Sequence, residues 1–328
     1  MDVTEADPGT RLEPVVEGLP FSGPWLLAPM EGVTEPCFRD LVLAENDPRE
    51  LGGAFTEFVR VVSQPLPERV LRRALGPRRF PAPVGIQLMG SDLGALAETA
   101  RRAARVGAPL VDLNFGCPSK GALRGCAGSA LLDDPSALEA VVRTCTEAVE
   151  DVPVTAKIRA GGEDDRRLEE LAQAAEAGGA RLLTVHCRTR AEAYRDTADW
   201  DRLARAVAAV DIPVCGNGGI EGHGDLEALR RETGCRLAMV GRAALGDPWI
   251  FSGRSVARAR AMGFLVAYAD RLSREGGARP VKAAARVKQL LRYWSAGGVT
   301  VDEREAWLRV ESAEELLGLL RSMAAGAG

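Results

Sequence analysis

Short apolar runs alternate with amphipathic helical stretches along most of this chain. Eight runs have this character, at residues 25–30, 54–59, 83–89, 110–116, 153–159, 182–187, 213–218 and 237–242. Most of their starts lie about 29 residues apart, the length of one strand, one helix and their connections. Because parallel neighbours need a helical crossover, eight such units predict a (β/α)8 TIM barrel of the α/β class. A doubly wound open sheet is the alternative, but no G-x-G-x-x-G run follows the first strand.

The strand pattern stops near residue 256, and this change divides the chain. We expect a loose N-terminal extension at 1–22, a barrel at 23–255 and a small all-helical domain at 256–328. The first twenty residues are acidic and lack the basic start and apolar run of a secretory signal. No apolar run approaches the roughly 18–20 residues of a membrane span.

The chain has seven cysteines and two histidines among its 328 residues. The cysteines are scattered, their number is odd and no C-x-x-C pair is present, which argues against a disulfide framework and a structural zinc site. We therefore expect a cytoplasmic protein with no metal and no contact with a membrane.

Polar or charged side chains lie at or near the end of nearly every predicted strand. In a barrel of this kind the carboxyl ends of the strands meet on one face, where active sites lie. Such convergence favours an enzyme over a structural protein. The residues concerned are Pro29, Met30, Glu31, Glu57, Arg60, Gln87, Asn114, Cys117, Lys157, Arg159, His186, Arg188, Asn217, Gly241 and Arg242.

The last two strands end in glycine-rich sequence, GNGGI at 216–220 and GR at 241–242. Glycine lets backbone N–H groups approach an anion closely, and the loops after strands 7 and 8 of barrels commonly hold a phosphate. The guanidinium of Arg242 adds several N–H donors for such an anion. Lys157 and His186 are placed to face the same ligand. This pattern is typical of a phosphate-bearing cofactor such as FMN, although the glycines are also compatible with simple tight turns.

Cys117 lies in the run NFGCPSKGALRGCAG at 114–128, in a loop longer than its neighbours. A thiol at this position can act as a proton donor or as a nucleophile, and no histidine is close to it in sequence. A buried filler is the alternative, and we prefer that reading for the other six cysteines.

The C-terminal segment 279–293, RPVKAAARVKQLLRY, carries five basic residues and no acid. Residues 256–328 hold 12 Lys and Arg against 8 Asp and Glu, whereas residues 1–255 hold 30 against 38. A basic helix with an aromatic residue can bind phosphates and stack a base, although it can also be an ordinary solvated face.

Seven motifs together resemble the tRNA-dihydrouridine synthases, most closely the bacterial DusC branch, which acts on position 16 of the D-loop. The resemblance runs from about residue 25 to about 310, and N-x-G-C-P is its most specific element. The motifs are LAPMEGVTEPCFR at 27–39, TEFVRV at 56–61, LNFGCPSK at 113–120, KIR at 157–159, VHCRTR at 185–190, CGNGGI at 215–220 and VGRAAL at 240–245.

The resemblance implies a role for each matching residue. Cys117 is the general acid, and Asn114 holds the target uracil. The implied FMN ligands are Pro29, Met30, Glu31, Gln87, Lys157, His186, Asn217, Gly218, Gly219, Gly241 and Arg242. The implied tRNA-facing residues are Arg60, Arg159, Tyr194, Arg286, Lys288, Tyr293 and Arg309. Gly219 differs from the family, where an acidic residue usually follows Asn-Gly.

The resemblance also implies an activity, namely FMN-dependent reduction of a D-loop uridine to 5,6-dihydrouridine with NADPH or NADH. A monomer is expected, because one tRNA would occupy much of the active face. An FMN-dependent reductase of a free pyrimidine is the alternative enzyme, and the basic C-terminal segment counts against it. An RNA-binding barrel without catalysis is a third possibility, and Cys117, Gln87, Lys157 and His186 together count against it.

Overall fold

A computed structural model describes residues 12–77, 81–119, 121, 125–193 and 198–326. The strands are β1 (Trp25–Leu27), β2 (Leu51–Phe55), β3 (Val59–Arg60), β4 (Val84–Met89), β5 (Val111–Phe115), β6 (Val154–Arg159), β7 (Leu183–His186), β8 (Val214–Asn217) and β9 (Leu237–Val240). The barrel helices are α1 (Pro36–Glu45), α2 (Glu68–Leu75), α3 (Leu93–Arg105), α4 (Pro135–Ala148), α5 (Leu168–Ala177), α6 (Asp201–Ala209), α7 (His223–Thr233) and α8 (Ala243–Gly246). The helices that follow are α9 (Arg258–Arg274), α10 (Pro280–Leu291), α11 (Val301–Arg309) and α12 (Ala313–Ala324).

The strands form one closed parallel barrel. β1 pairs with both β2 and β9, β2 also pairs with β4, and the remaining neighbours follow chain order. Eight strands close the barrel, while the two-residue β3 only extends the end of β4. The predicted (β/α)8 barrel followed by helices is therefore confirmed.

The second strand differs from the prediction, which placed it at 54–59. The structure places β2 at Leu51–Phe55 and a separate short strand at Val59–Arg60. Gly52 and Gly53 begin this region, and glycine is normally unfavourable in a strand. A Cβ on Gly53 would lie 2.6 Å from the ring of Phe21, and one on Gly52 would collide with the backbone of Gly23. The preceding segment packs so closely against this strand that glycine is required there. Because glycine has a low strand propensity, the sequence did not predict that the strand begins this early.

The expected loose N-terminal extension is wrong for the described part near the barrel. Val16, Leu19 and Phe21 are buried in the same cluster as Phe55 and Leu110. The rings of Phe21 and Phe55 lie 5.9 Å apart. Residues 16–22 therefore close the amino-terminal end of the barrel, because the apolar interior needs a cover at the end opposite the active face.

Helices α9 to α12 pack directly against the barrel. Phe264 of α9 contacts Phe38 of α1, Trp249 and Trp294, with ring centroids 5.6–6.1 Å apart. These aromatic residues belong to one hydrophobic cluster that also contains the helices around the barrel. The shared core gives the helical segment a defined position beside the active face.

Candidate active site at the carboxyl end of the barrel

A cavity of about 850 Å³ opens at the carboxyl ends of the strands. It combines backbone from the glycine turns, cationic side chains and the loop that carries Cys117. The predicted site residues that line it are Pro29, Met30, Glu31, Asn114, Cys117, Lys157, Arg159, His186, Asn217, Gly218, Gly219, Gly241, Arg242 and Tyr293. The structure therefore brings together most of the residues predicted from the strand ends.

Lys157 and Asn217 form the base of the cationic side of the cavity. The Lys157 Nζ donates a hydrogen bond to the Asn217 Oδ1 at 3.2 Å, and the Asn217 Nδ2 donates to the Met239 carbonyl at 2.8 Å. Burial, together with the charge of Arg159, lowers the pKa of Lys157 to about 8. Lys157 is therefore still mainly cationic at neutral pH and can attract an anionic group.

His186 is held in one tautomer beside Lys157. Its Nδ1 accepts a hydrogen bond from the backbone N–H of Arg188 at 3.2 Å, so the ring proton is on Nε2. Burial is the main cause that lowers the pKa of His186 well below its usual value, and the charges of Lys157 and Arg159 add to it. His186 is thus a neutral donor at physiological pH.

The turn after β8 is shaped by its neighbours. Gly218 and Gly219 have φ values of +107° and +74°, which favour glycine. The indole Nε1 of Trp200 donates to the Gly218 carbonyl at 3.0 Å. A Cβ on Gly219 would lie 2.5 Å from the Cβ of Ala198 and 2.9 Å from the Trp200 Nε1. The space that a side chain at position 219 would need is therefore filled, so the backbone itself faces the cavity.

The loop that carries Cys117 is fastened to Asn114. The Asn114 Oδ1 accepts hydrogen bonds from the backbone N–H groups of Gly116 and Cys117, both at 3.0 Å. The Cys117 Sγ lies 3.4 Å from the Ser119 Oγ and is half-buried. A thiol is thus held at the wall of the cavity.

Gln87, predicted to contact the flavin, does not line the cavity. Its side chain is fully buried; its Nε2 donates to Asp112 at 2.7 Å, and its Oε1 accepts from Asn114 at 2.7 Å. The structure therefore shows Gln87 as a support beneath Asn114.

Several predicted tRNA-facing residues are engaged within the protein. Arg159 is buried and donates to the carbonyls of Gly116, Thr189 and Ala193. Lys288 donates to the carbonyls of Leu308 and Val310. These two side chains hold loops and helix ends in place.

The other predicted tRNA-facing residues differ in exposure. Arg60 is exposed and donates to the Gly121 carbonyl at 2.6 Å. Arg309 is exposed and pairs with Glu305 at 2.8 Å. Arg286 is half-buried between the helical segment and the barrel. Tyr194 lies outside the residues that the structure describes.

A sequence model of the dihydrouridine synthases matches residues 26–266 of this chain. The chain belongs to the dihydrouridine synthase family. It is 42% identical to a tRNA-dihydrouridine(16) synthase of Cupriavidus necator, over 68% of this chain and 71% of that protein. It is 40% identical to a tRNA-dihydrouridine(16) synthase of Vibrio vulnificus, over 68% and 72% of the two chains. A tRNA-dihydrouridine synthase B of Pseudomonas syringae pv. tomato is 38% identical, over 69% and 66%. The resemblance stated from the strand-end motifs is confirmed.

Arg292 and Trp200 of this dihydrouridine synthase were not predicted as site residues, and Arg188 was predicted only as a polar residue near a strand end. Arg188 and Arg292 line the cavity, and Trp200 supports the turn after β8. The two arginines carried a signal, since Arg188 follows a strand and Arg292 lies in the basic segment. Trp200 carried none, because its contact with residue 218 depends on how α6 packs beside β8.

Among the described residues no helix is long and apolar enough to cross a bilayer. Within the same part of the chain, no group of three or more His, Cys, Asp and Glu side chains is arranged to hold a metal ion.

Proposed function

We propose that this protein reduces a uridine of the tRNA D-loop, at position 16, to 5,6-dihydrouridine, with bound FMN and with NADPH as reductant. The observation that carries the proposal is the cavity itself. Cys117, Asn114, Lys157, His186 and the glycine turn after β8 all line it. Membership of the dihydrouridine synthase family and the names of the relatives support the substrate and the position.

The donor set of the cavity fits a phosphorylated flavin. Gly218, Gly219 and Gly241 line the cavity, and a Cβ on Gly241 would only come into ordinary contact with Met30 and Ala28, at 3.7 and 3.8 Å. Lys157 and Arg242 supply positive charge to the same cavity. Backbone amides and cations at the ends of the last strands are the usual phosphate site of barrels.

Several side chains would orient the cofactor. Lys157 is fixed by Asn217 and would attract a flavin ring oxygen or the phosphate. His186 would donate from Nε2, because its Nδ1 is committed to the backbone N–H of Arg188. When bound, FMN supplies the hydride that reduces the carbon–carbon double bond of uracil.

The second hydrogen of the product is a proton, and we assign its delivery to Cys117. The thiol donates to carbon 5 of the ring and becomes a thiolate, which must then regain a proton from solvent. Asn114 lies beside it and can donate a hydrogen bond to a ring carbonyl, where negative charge develops as hydride arrives. Because Asn114 also binds the Cys117 N–H, the proton donor and the substrate contact are held by one side chain.

The substrate would enter with its base removed from the stack, because a base within folded tRNA cannot reach the barrel interior. Arg292 and Tyr293 of the helical segment line the same cavity, and Tyr293 is exposed. A cation and an aromatic ring at the mouth are suited to a phosphate and an unstacked base. We therefore assign tRNA binding to the helical domain proposed at 256–328, together with the rim of the barrel at 23–255.

The test is a position-resolved dihydrouridine assay on unmodified tRNA with purified protein, FMN and NADPH. We expect dihydrouridine at position 16, and a rate reduced by about 10²-fold or more in Cys117→Ala, the usual cost of losing a general acid. Cys126→Ser is the matched control, because Cys126 is an exposed thiol of the same loop.

Other results of this assay would contradict parts of the proposal. Dihydrouridine at another position would retain the family and overturn position 16. A yellow protein whose flavin NADPH reduces, but which makes no dihydrouridine, would indicate a free pyrimidine or another small substrate. A protein that binds no flavin would overturn the reaction altogether.

A further inference from the structure

A carboxylate that the proposed mechanism does not use lies inside the barrel. Asp112, on β5, is 1% exposed. It is in register with Gln87 on β4 and with Thr155 on β6. Its Oδ1 accepts a hydrogen bond from the Thr155 Oγ1 at 2.5 Å, and its Oδ2 accepts from the Gln87 Nε2 at 2.7 Å. A buried carboxylate so placed is costly unless its partners satisfy it, which suggests a specific role.

The hydrogen bonds continue from Asp112 to the loop of the proton donor. Gln87 accepts from the Asn114 Nδ2 at 2.7 Å, and the Asn114 Oδ1 accepts from the N–H groups of Gly116 and Cys117 at 3.0 Å. Asn114 follows Asp112 by two residues on the same strand, so both side chains point to the same face. One chain of hydrogen bonds therefore joins the buried carboxylate to the loop of Cys117.

The two ends of this chain fix its direction. Burial raises the pKa of Asp112 to about 6, against hydrogen bonds from Thr155 and Gln87, so at neutral pH it is mainly ionised and only accepts. Backbone N–H groups, at the other end, only donate. Between these two ends, only one orientation of the Gln87 and Asn114 side-chain amides lets every hydrogen bond of the chain pair a donor with an acceptor.

The fixed orientation limits what Asn114 can offer to a molecule in the cavity. Its oxygen already accepts two backbone hydrogen bonds, and one of its two amide protons goes to Gln87. The second amide proton has no partner among the described residues. Asn114 lines the cavity and is only half-buried there. The group that remains for a ligand is a donor.

We propose that Asp112 is a positioning residue that fixes the amides of Gln87 and Asn114, so that Asn114 selects a ring carbonyl over an amino group. The inference rests on the proposed function, which supplies a pyrimidine of tRNA as the substrate. Uracil carries a carbonyl where cytosine carries an amino group. The Asn114 amide N–H can therefore donate to the uracil carbonyl. In cytosine it would face the amino group, which is also a donor, and both groups would stay unpaired.

The first experiment compares three variants at the start of the chain of hydrogen bonds. Asp112→Leu removes the acceptor and keeps the branching and the number of heavy atoms of the side chain. Asp112→Asn keeps it, because an asparagine can accept from Gln87 with its oxygen and donate its amide to the Thr155 hydroxyl. Thr155→Val is the matched control, because it removes a buried hydroxyl from Asp112 but leaves the bond to Gln87.

The readouts are the kcat/KM for uridine-containing tRNA and the preference for it over the same tRNA with cytidine at the target, measured as a competitive inhibitor. We expect Asp112→Leu to lower kcat/KM by about 10-fold or more and to reduce the preference by about 5-fold, the scale of one lost buried hydrogen bond. Asp112→Asn and Thr155→Val should stay within about 3-fold of the parent in both.

A second measurement needs neither tRNA nor cofactor. In a Cys126→Ser background, Cys117 is the one cysteine that is not buried, since the other five are. We expect Asp112→Leu to change the rate of Cys117 alkylation by iodoacetamide by about 3-fold or more, because the loop loses a restraint, and Asp112→Asn to leave it unchanged.

The outcomes separate this inference from the proposed function. If folded Asp112→Leu keeps the parent's kcat/KM, preference and alkylation rate, or if Asp112→Asn is as impaired as Asp112→Leu, the positioning role is overturned. If the parent makes no dihydrouridine while the alkylation rates follow the expected order, the proposed function fails and the support of the Cys117 loop stands. In that case the choice of uracil is overturned too.

Discussion

The guanidinium of Arg286, on α10, lies 3.5 Å from the carboxylate of Glu35, at the start of α1. Glu35 also accepts a hydrogen bond from the Cys37 backbone N–H and so caps α1. Arg286 donates to the Gly32 carbonyl as well, in the loop after β1 that also contributes Met30 to the cavity. One side chain of the helical segment therefore holds the first loop of the active face, in addition to the tRNA contact predicted for it.

Arg286→Ala should destabilise the protein more at pH 8 than at pH 5. Burial raises the pKa of Glu57, and the charge of Arg286 opposes that rise. When folding raises the pKa of a carboxyl, the folded state loses stability as the pH increases through the unfolded and then the folded pKa. Without Arg286 this loss should grow, with a cost of about 2 kcal/mol at pH 8. Urea unfolding at both pH values measures this loss of stability.

Arg279→Ala, at the exposed start of the same helix, is the control. If Arg286→Ala lowered the free energy of unfolding equally at both pH values, the coupling to Glu57 would be contradicted.

Lys157 should make cofactor binding depend on pH above neutrality. Its pKa is lowered to about 8, chiefly by burial and then by Arg159, so its positive charge is present at pH 7 and mostly lost at pH 9. We expect FMN affinity, followed by flavin fluorescence, to fall about 5-fold over this range, which is roughly 1 kcal/mol. Lys157→Met should bind weakly at both pH values and show no such fall. Lys282→Met, on the exposed face of α10, should behave as the parent does, and a persistent pH dependence in Lys157→Met would assign the titration to another group.

Gly219→Ala should weaken FMN binding and lower stability. The new Cβ would meet Ala198 and Trp200, and the φ of +74° is unfavourable for alanine by about 1 kcal/mol. We expect the Tm to fall by several degrees, about 2–4 °C per kcal/mol for a chain of this size, and FMN affinity to fall about 10-fold. Gly224→Ala is the control, because a Cβ there meets nothing within 4 Å and lies in α7. Unchanged affinity in Gly219→Ala would remove this turn from the cofactor site.

Arg292→Ala should weaken tRNA binding in a salt-dependent way. Arg292 is exposed at the mouth of the cavity beside Tyr293. If it contacts one phosphate, the slope of log affinity against log salt should fall by nearly one unit, and the affinity by about 3–10-fold. Filter binding at several salt concentrations measures both. Arg143→Ala, on α4 and paired with Glu139, removes the same charge from the outer ring of helices. An equal slope change in that variant would show a nonspecific effect of net charge.

The sequence predicted the barrel and most of the lining of the site for a simple reason. Apolar runs at the spacing of a strand, a helix and two connections are a local signal, and in a parallel barrel every strand ends at the same face. A side chain at or near the end of a strand is therefore expected near the site whatever the details of packing. Cys117, Lys157, His186 and Arg242 were found in this way, and all line the cavity.

Partners that lie far apart in the chain were not predictable in the same way. Gln87 follows the strand-end rule, but its side chain is held below the cavity by Asp112 and Asn114. Lys288 reads as a surface cation of a basic helix, yet its ammonium is tied to the carbonyl of Val310. Side-chain direction in each case depends on which acceptor lies within reach, and periodicity contains no information about that.

By itself the sequence determined the number and order of the βα units, the face on which the site lies and the identity of the motif around Cys117. Only the tertiary structure decided that β2 begins at Leu51, that residues 16–22 close the barrel floor and that Arg286 reaches Glu35. Local patterns specify backbone conformation and the buried face, because both repeat within a few residues. Contacts between distant segments depend on the shape of the closed core, which exists only after the barrel has assembled.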